Sequence, residues 1–248
     1  MKHLLIFFLL FVSAVLTSSY SREISPHIRA FEEAYDAWDD SLFRAAHDSF
    51  SPRSDTGIYW RSVIAFHRVN FYLYGFEYHR DEKKAQGIIS AALEELKEAE
   101  SMNGFDGELY ALRATLRGIQ ITFNPLRAPI VGPQVQNDLD AAFEAGPHNP
   151  RNLYLLGVSY YHMPGFVGGG FERAQEYLED AVGYFSQEQE RGYRNRPWGH
   201  STALAFLGEI HRREENVSAA EHWYRRALEV NPEDGLAKKG LLNMGVDI

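Results

Sequence analysis

The chain has no cysteine among its 248 residues. Disulfides, thiol redox chemistry, thiolate metal centres and the lipid-attachment route of bacterial lipoproteins are therefore excluded. Long apolar runs are missing too: the one candidate, at the N-terminus, is about 16 residues, short of the roughly 20 that span a bilayer. The sequence holds no HExxH, no glycine-rich loop ending in Lys-Ser or Lys-Thr, no G-x-S-x-G elbow and no EF-hand loop. Positive charge is in deficit, with 25 Lys and Arg against 34 Asp and Glu and a formal charge of −9. Such a surface matches nucleic-acid phosphates poorly, so no nucleic-acid partner is expected.

The short N-terminal run has a recognisable design. Lys2 and His3 precede the apolar stretch from Leu4 to Val12, and Ser13, Ala14, Thr17, Ser18, Ser19 and Ser21 follow. A positive start, an apolar centre and small residues near a cut are the marks of a secretory signal peptide. Residues 1–21 are thus expected to be removed near Ser19 or Ser21, leaving an exported periplasmic or secreted protein with no stable membrane anchor. Without disulfides, its stability must come from helix packing, to which aromatic residues, 14% of the chain, contribute large buried areas.

The richest pattern lies near the C-terminus. Leu204, Leu207, Gly208 and His211 are followed by Ala220, Tyr224, Ala227 and Pro232. Gly208 and Ala220 permit close approach of two antiparallel helices, Ala227 admits the next helix, and Pro232 ends the second one. An upstream unit repeats the code, with Leu153, Leu156, Gly157 and Tyr160 on one helix and Ala174, Leu178 and Ala181 on the next. Gly157 to Ala174 spans 17 positions against 12 from Gly208 to Ala220, so its turn is enlarged, at Met163 to Gly170. Gly168-Gly169-Gly170 reads either as an anion-binding nest or as a turn needing positive backbone dihedrals, and the missing Lys-Ser or Lys-Thr ending favours the turn.

A more degenerate unit places Tyr110, Leu112 and Leu116 on a first helix and Leu139, Ala142 and Phe143 on a second. Between them the stretch 123–133 is too rich in proline to continue as helix, and predicts a structured insertion. Ile58 to Tyr78 is an aromatic helical stretch, and Glu82 to Glu100 has the three- and four-residue apolar spacing of an amphipathic helix. Together they predict the first pair. Ile24 to Phe50 predicts a helix capping the open end, within a 22–57 cap and linker, and residues 233–243 the other cap. The repeat region then runs from 58 to 248.

Chemistry-bearing clusters are sparse. Histidines such as His47, His67, His79, His148, His162, His200, His211 and His222 are scattered, and Asp39-Asp40 and Glu94-Glu95 read as solvated helix faces. A site built from His200, Glu209 and His211 is the only enzymatic constellation, and Glu209 and His211, two apart on a helix, point in different directions. No catalytic residue, metal ligand or cofactor is expected. Asn216-Val217-Ser218 has the glycosylation sequon but falls at a turn between repeat helices.

The 204–232 spacing resembles the tetratricopeptide repeat, with Leu for Trp, His for the first Tyr and Tyr for Phe. With Asn149-Pro150-Arg151, the Pro164 to Gly170 turn before Glu172-x-Ala174, and Trp198-Gly199, the region is also similar to a group of exported bacterial repeat proteins. The resemblance implies an all-α, right-handed solenoid of about four antiparallel helix pairs with terminal caps. It further implies a concave groove lined by first helices, carrying Tyr110, Arg117, Arg151, Tyr154, Tyr161, His162, Glu209, Arg212 and Arg213 together with Ala114, Val158 and Thr202. Such a mixed aromatic and cationic surface would hold a protein or peptide segment, acidic or ending in a carboxylate. The expected function is a non-enzymatic interaction scaffold of the bacterial cell envelope. The alternative is a small-ligand-binding or accessory component of an envelope transport system, its pocket roofed by the two insertions.

Overall fold

A computed structural model of the chain describes residues 25–74, 80–101, 105–190 and 198–248. The signal-peptide reading of residues 1–21, and residues 75–78 of the aromatic stretch, lie outside them. Among the described residues the chain is all-α, an α-solenoid of helices packed in adjacent pairs. No helix among the described residues is long and apolar enough to cross a membrane.

Eleven α-helices occur among the described residues: α1 Pro26–Ala37, α2 Asp40–Ser49, α3 Asp55–Tyr74, α4 Glu82–Glu100, α5 Gly107–Phe123, α6 Ala128–Ala145, α7 Pro150–His162, α8 Phe171–Glu190, α9 His200–Arg213, α10 Val217–Val230 and α11 Gly235–Asn243. Their starts are written into the sequence. Asp39, Asp81, Asp106, Asn149, Asn216 and Asp234 each accept a first-turn backbone N–H with the side chain, engaging donors that a helix leaves unpaired. Four pairs, α3–α4, α5–α6, α7–α8 and α9–α10, form the body, and α11 closes the C-terminal end.

Two expectations need correction. The N-terminal cap is a pair rather than one helix: Trp38 adopts a left-handed conformation at φ 48° that ends α1, and Asp39 starts α2 by accepting the Ser41 and Leu42 amides. The proline-rich stretch 123–133 is mostly helix. Only Pro125–Arg127 forms a separate 3₁₀ turn, and α6 begins at Ala128. Pro129 falls in the first turn, where no N–H is required, while the exposed Pro133 gives up a single bond. The triple glycine behaves as a turn. Gly168 and Gly170 have φ of 89° and 119°, and the amides of Gly168, Gly169 and Gly170 donate to Gly165, Pro164 and Tyr160 carbonyls, leaving no nest for an anion.

The inner face of the stack is filled by α3. Its side chains are buried on nearly every side, so the helix needs cover all around. Tyr59 donates to Glu108 of α5 at 2.5 Å and accepts from the Trp198 indole at 3.0 Å, and Asn149, the α7 cap, donates to the other Glu108 oxygen. Phe66 meets Tyr154 of α7 edge-on. His67 is fully enclosed by Phe31, Tyr35, Trp38, Phe43, Phe66 and Trp198, with no hydrogen-bond partner for either ring nitrogen among the described residues. Burial pushes its pKa down to about 3, so the ring is neutral and acts as one more aromatic plate. The N-terminal pair is tied across the same interior, because Tyr35 bonds Ser201 of α9, whose neighbour Thr202 donates to Asp234.

Glycines set the closest approaches. Tyr224 of α10 is fully buried, and a Cβ at Gly208 of α9 or at Gly240 of α11 would lie 2.7 Å or 2.1 Å from its ring. The ring is pinned at its hydroxyl by Glu209, so it cannot swing away. Gly208→Ala and Gly240→Ala should each lower stability by roughly 1 to 3 kcal/mol through overpacking. Thermal or urea unfolding reads the effect, and unchanged transitions in both variants would contradict this packing.

Candidate functional site

The C-terminal ends of the first helices converge at one end of the stack, around a partly open pocket of about 400 Å³. Leu73 comes from α3, Ile119 and Thr122 from α5, Tyr161 and His162 from α7, and Phe206, Glu209, Arg212 and Arg213 from α9. Leu236, Lys239, Gly240 and Asn243 of α11 complete it, with Arg80 from the segment before α4. The wall thus combines aromatic and aliphatic side chains with five charged ones. Four cations face a single carboxylate.

That carboxylate organises the site. Glu209 accepts from Arg212 Nε and Nη2 at 2.7 Å, Arg213 Nε at 2.8 Å, the Tyr224 hydroxyl at 2.9 Å and the Tyr161 hydroxyl at 3.3 Å. Burial alone would raise its pKa, but the hydrogen bonds from Arg212, Arg213 and Tyr224 outweigh it and hold the group at about 2. Arg212 and Arg213 are held charged by the same bonds to Glu209, and Tyr224 is driven well above the ordinary phenol range by burial and by the Glu209 charge. Spacing on α9 explains the geometry. Residues three and four apart share a face, so Glu209 meets both Arg212 and Arg213, and the last turn of a helix favours cations. His162 is pushed to about 4, first by burial and then by Arg213 and Arg80, so it stands beside the cluster as a neutral ring.

Of the residues expected to face a groove, the structure brings together Tyr161, His162, Glu209, Arg212 and Arg213. It does not bring the other four to them. Tyr154 is fully buried in the core, and Arg151, also buried, forms an ion pair with Glu188 of α8 at 3.0 Å. Arg117 binds Asp138 of α6 at 2.6 Å, beside the buried Arg113 that shares the same carboxylate, and Tyr110 packs on Phe105. Ala114, Val158 and Thr202 are buried. The open trough expected along the first helices is corrected: among the described residues α3 lies in it, and the pocket beside Leu73 is the part that is open. His200 stacks on Phe185 at the start of α9, about 13 Å along the helix from Glu209 by its rise per residue, so the three-residue constellation is not assembled. No group of three or more His, Asp or Glu side chains among the described residues is placed to hold a metal ion.

Lys239, Leu236 and Arg80 were not expected at a site. Residues 233–243 read only as an end cap, and the one signal was the Lys238-Lys239 pair on its short helix. Lys238 turns away to Glu233 at 2.6 Å, while Lys239 lines the pocket and makes no ion pair among the described residues.

The depressed Glu209 pKa fixes a pH dependence. A carboxylate titrating lower in the folded than in the unfolded chain stabilises the fold above its unfolded value near 4.5, and that contribution is lost as pH falls from there towards 2. Glu209→Gln should therefore cost roughly 2 to 4 kcal/mol at neutral pH, since it strips partners from Arg212 and Arg213. The gap from the parent protein should close between about pH 4.5 and 2. Denaturant unfolding across that range checks it, and a pH-independent gap would refute the charged state assigned to Glu209.

No protein-family model matches the chain, and no curated protein matches it either. Among solved structures, the HusA haemophore from Porphyromonas gingivalis aligns with a TM-score of 0.56 at 20% sequence identity, over 79% of this chain and 94% of that one. At this identity the likeness is one of fold.

Proposed function

We propose that this chain is a non-enzymatic binding protein, and that its ligand is a small molecule with an apolar body and one or more negative charges. The observation that carries this reading is the pocket at the converging helix ends. Leu73, Ile119, Phe206 and Leu236 offer apolar contact, while Arg212, Arg213, Lys239 and Arg80 surround them with positive charge in a chain that is acidic overall. Pockets of a few hundred Å³ with an apolar lining and a few convergent polar groups are what small ligands need. Glu209 neutralises part of the arginine charge and keeps both guanidiniums in place for a second, bound anion. Haem, an apolar macrocycle bearing two carboxylates, belongs to this chemical class, and the fold likeness to a haemophore supports testing it first.

A second reading, capture of an acidic peptide segment by an envelope scaffold, rests on the same cations and on the exposed Arg213 at the rim. Because α3 occupies the trough, such a segment would engage by its terminal carboxylate and last side chain alone. Export, and membership of the tetratricopeptide repeat family, belong to the same proposal, resting on the N-terminal leader and on the Leu204 to Pro232 spacing.

The test is titration with haem, a long-chain dicarboxylate and an acidic peptide ending in a free carboxylate. Binding of one of them in the micromolar range is expected. Lys239→Glu should weaken it at least about tenfold without changing the melting temperature, since Lys239 makes no ion pair among the described residues. Undiminished affinity in that variant would overturn the site, and binding of the peptide alone would favour the second reading.

A further inference from the structure

The two middle hairpin turns expose apolar side chains that the fold does not require. Leu126 is 89% exposed in the turn between α5 and α6 and Ile130 73% in the first turn of α6; Phe166 is 91% exposed and Val167 54% in the turn between α7 and α8. Four of the ten exposed large hydrophobic residues among those described thus sit on two adjacent hairpin tips. Each tip is rigid. The first is a 3₁₀ turn closed by Arg127 N–H donating to Asn124 O, and the second is closed by Val167 and Gly169 N–H, both donating to Pro164 O. The side chains are therefore held out in water by built turns, an arrangement that isolated solubility would not select.

Charge at the tips is sparse. From Asn124 to Asn137 the only charged residue is Arg127, and from Met163 to Phe171 there is none, although the chain as a whole is −9. The exposed Glu172 and then Arg173 follow the second tip; Arg173 is fixed over the Tyr160 ring and donates to Gly168 O, so it presents its charge beside that tip, and with Arg127 it leaves the two tips one positive charge in excess. Pocket-lining residues precede both tips directly: Ile119 and Thr122 lie before Leu126, and Tyr161 and His162 before Phe166. The next turn, 214–216, carries Glu214 and Glu215, so this contact surface ends on that side.

We propose that these two tips dock the protein on an anionic lipid bilayer, inserting Leu126, Ile130, Phe166 and Val167 below the headgroups with Arg127 and Arg173 at headgroup level. Separate protruding tips suit a deformable bilayer better than a flat protein face, and the paucity of acids at them suits anionic lipid. The inference goes beyond the ligand-binding proposal and stands on different residues, so failure of one leaves the other to be judged by its own assay.

The experiment is co-sedimentation of the chain from residue 25 to 248 with vesicles of phosphatidylglycerol and phosphatidylethanolamine, against vesicles of phosphatidylcholine alone. Binding is expected to the anionic vesicles and to fall with added salt. Leu126→Asp combined with Phe166→Asp should reduce it at least about tenfold, the loss expected when two large apolar groups no longer leave water. Both positions are exposed, so the melting temperature should not move. As a second readout, Phe166→Trp should show a blue-shifted emission on anionic vesicles that brominated lipid quenches. Absence of vesicle binding, or binding that the double variant leaves intact, overturns the proposal. So does a stable dimer that the double variant abolishes, which would assign the tips to contact between copies of this chain.

Discussion

A helix with apolar side chains on most of its faces has to be surrounded, and α3 imposes that demand on the whole molecule. Tyr59, Trp60, Val63, Ile64, Phe66, His67 and Val69 are all buried and spread around most of the axis, and the remaining stripe of Arg61, Arg68 and Tyr72 is paired with Glu95 and Asp40. One partner helix can cover a single stripe, so α4 alone is not enough. The remaining cover comes from α2, α5, α7, the segment at Trp198 and α11, which explains why the stack closes around its own first pair. An inner face that would otherwise be a binding trough becomes the core.

Among the described residues the cover runs out at the pocket. Beyond Leu73 the first helices end together, and their C-terminal carbonyls concentrate partial negative charge that Arg212, Arg213 and Lys239 complement. Glu209 sits among them with its carboxylate shared by four donor side chains. The node links pocket and packing. Its bond to Tyr224 locks the ring that Gly208 and Gly240 were shaped to accept, so the cationic wall and the tightest contact of the repeat are one structure.

The helices were largely legible in the sequence, because apolar spacing, capping acids and the small residues at Gly157, Gly208, Ala220 and Ala227 all report local geometry. Trp38 was not legible as a break, since a bulky residue is an unusual occupant of the left-handed region, and Pro133 was misleading because a proline near a helix start can be accommodated. Five of the fourteen residues lining the candidate site were readable for a simple reason: Tyr161, His162, Glu209, Arg212 and Arg213 lie in the final turns of first helices, whose register the repeat spacing gives. Arg151, Tyr154 and Arg117 occupy equivalent faces nearer the middle of the stack, yet partners far away in sequence, Glu188, Phe66 and Asp138, draw them into packing. Lys239 escaped for the converse reason, since only the closure by α11 brings it to the pocket.

Amide hydrogen exchange along α3 tests the central claim most directly. If this helix is the enclosed axis of the fold, amides from Val63 to Val69 should be among the slowest in the protein and exchange only through global unfolding. Their protection should then fall with denaturant as steeply as overall stability does. Exchange of those amides by local fluctuation, at rates like those of the outer helix α4, would mean that α3 lies on an open surface and that the trough is free.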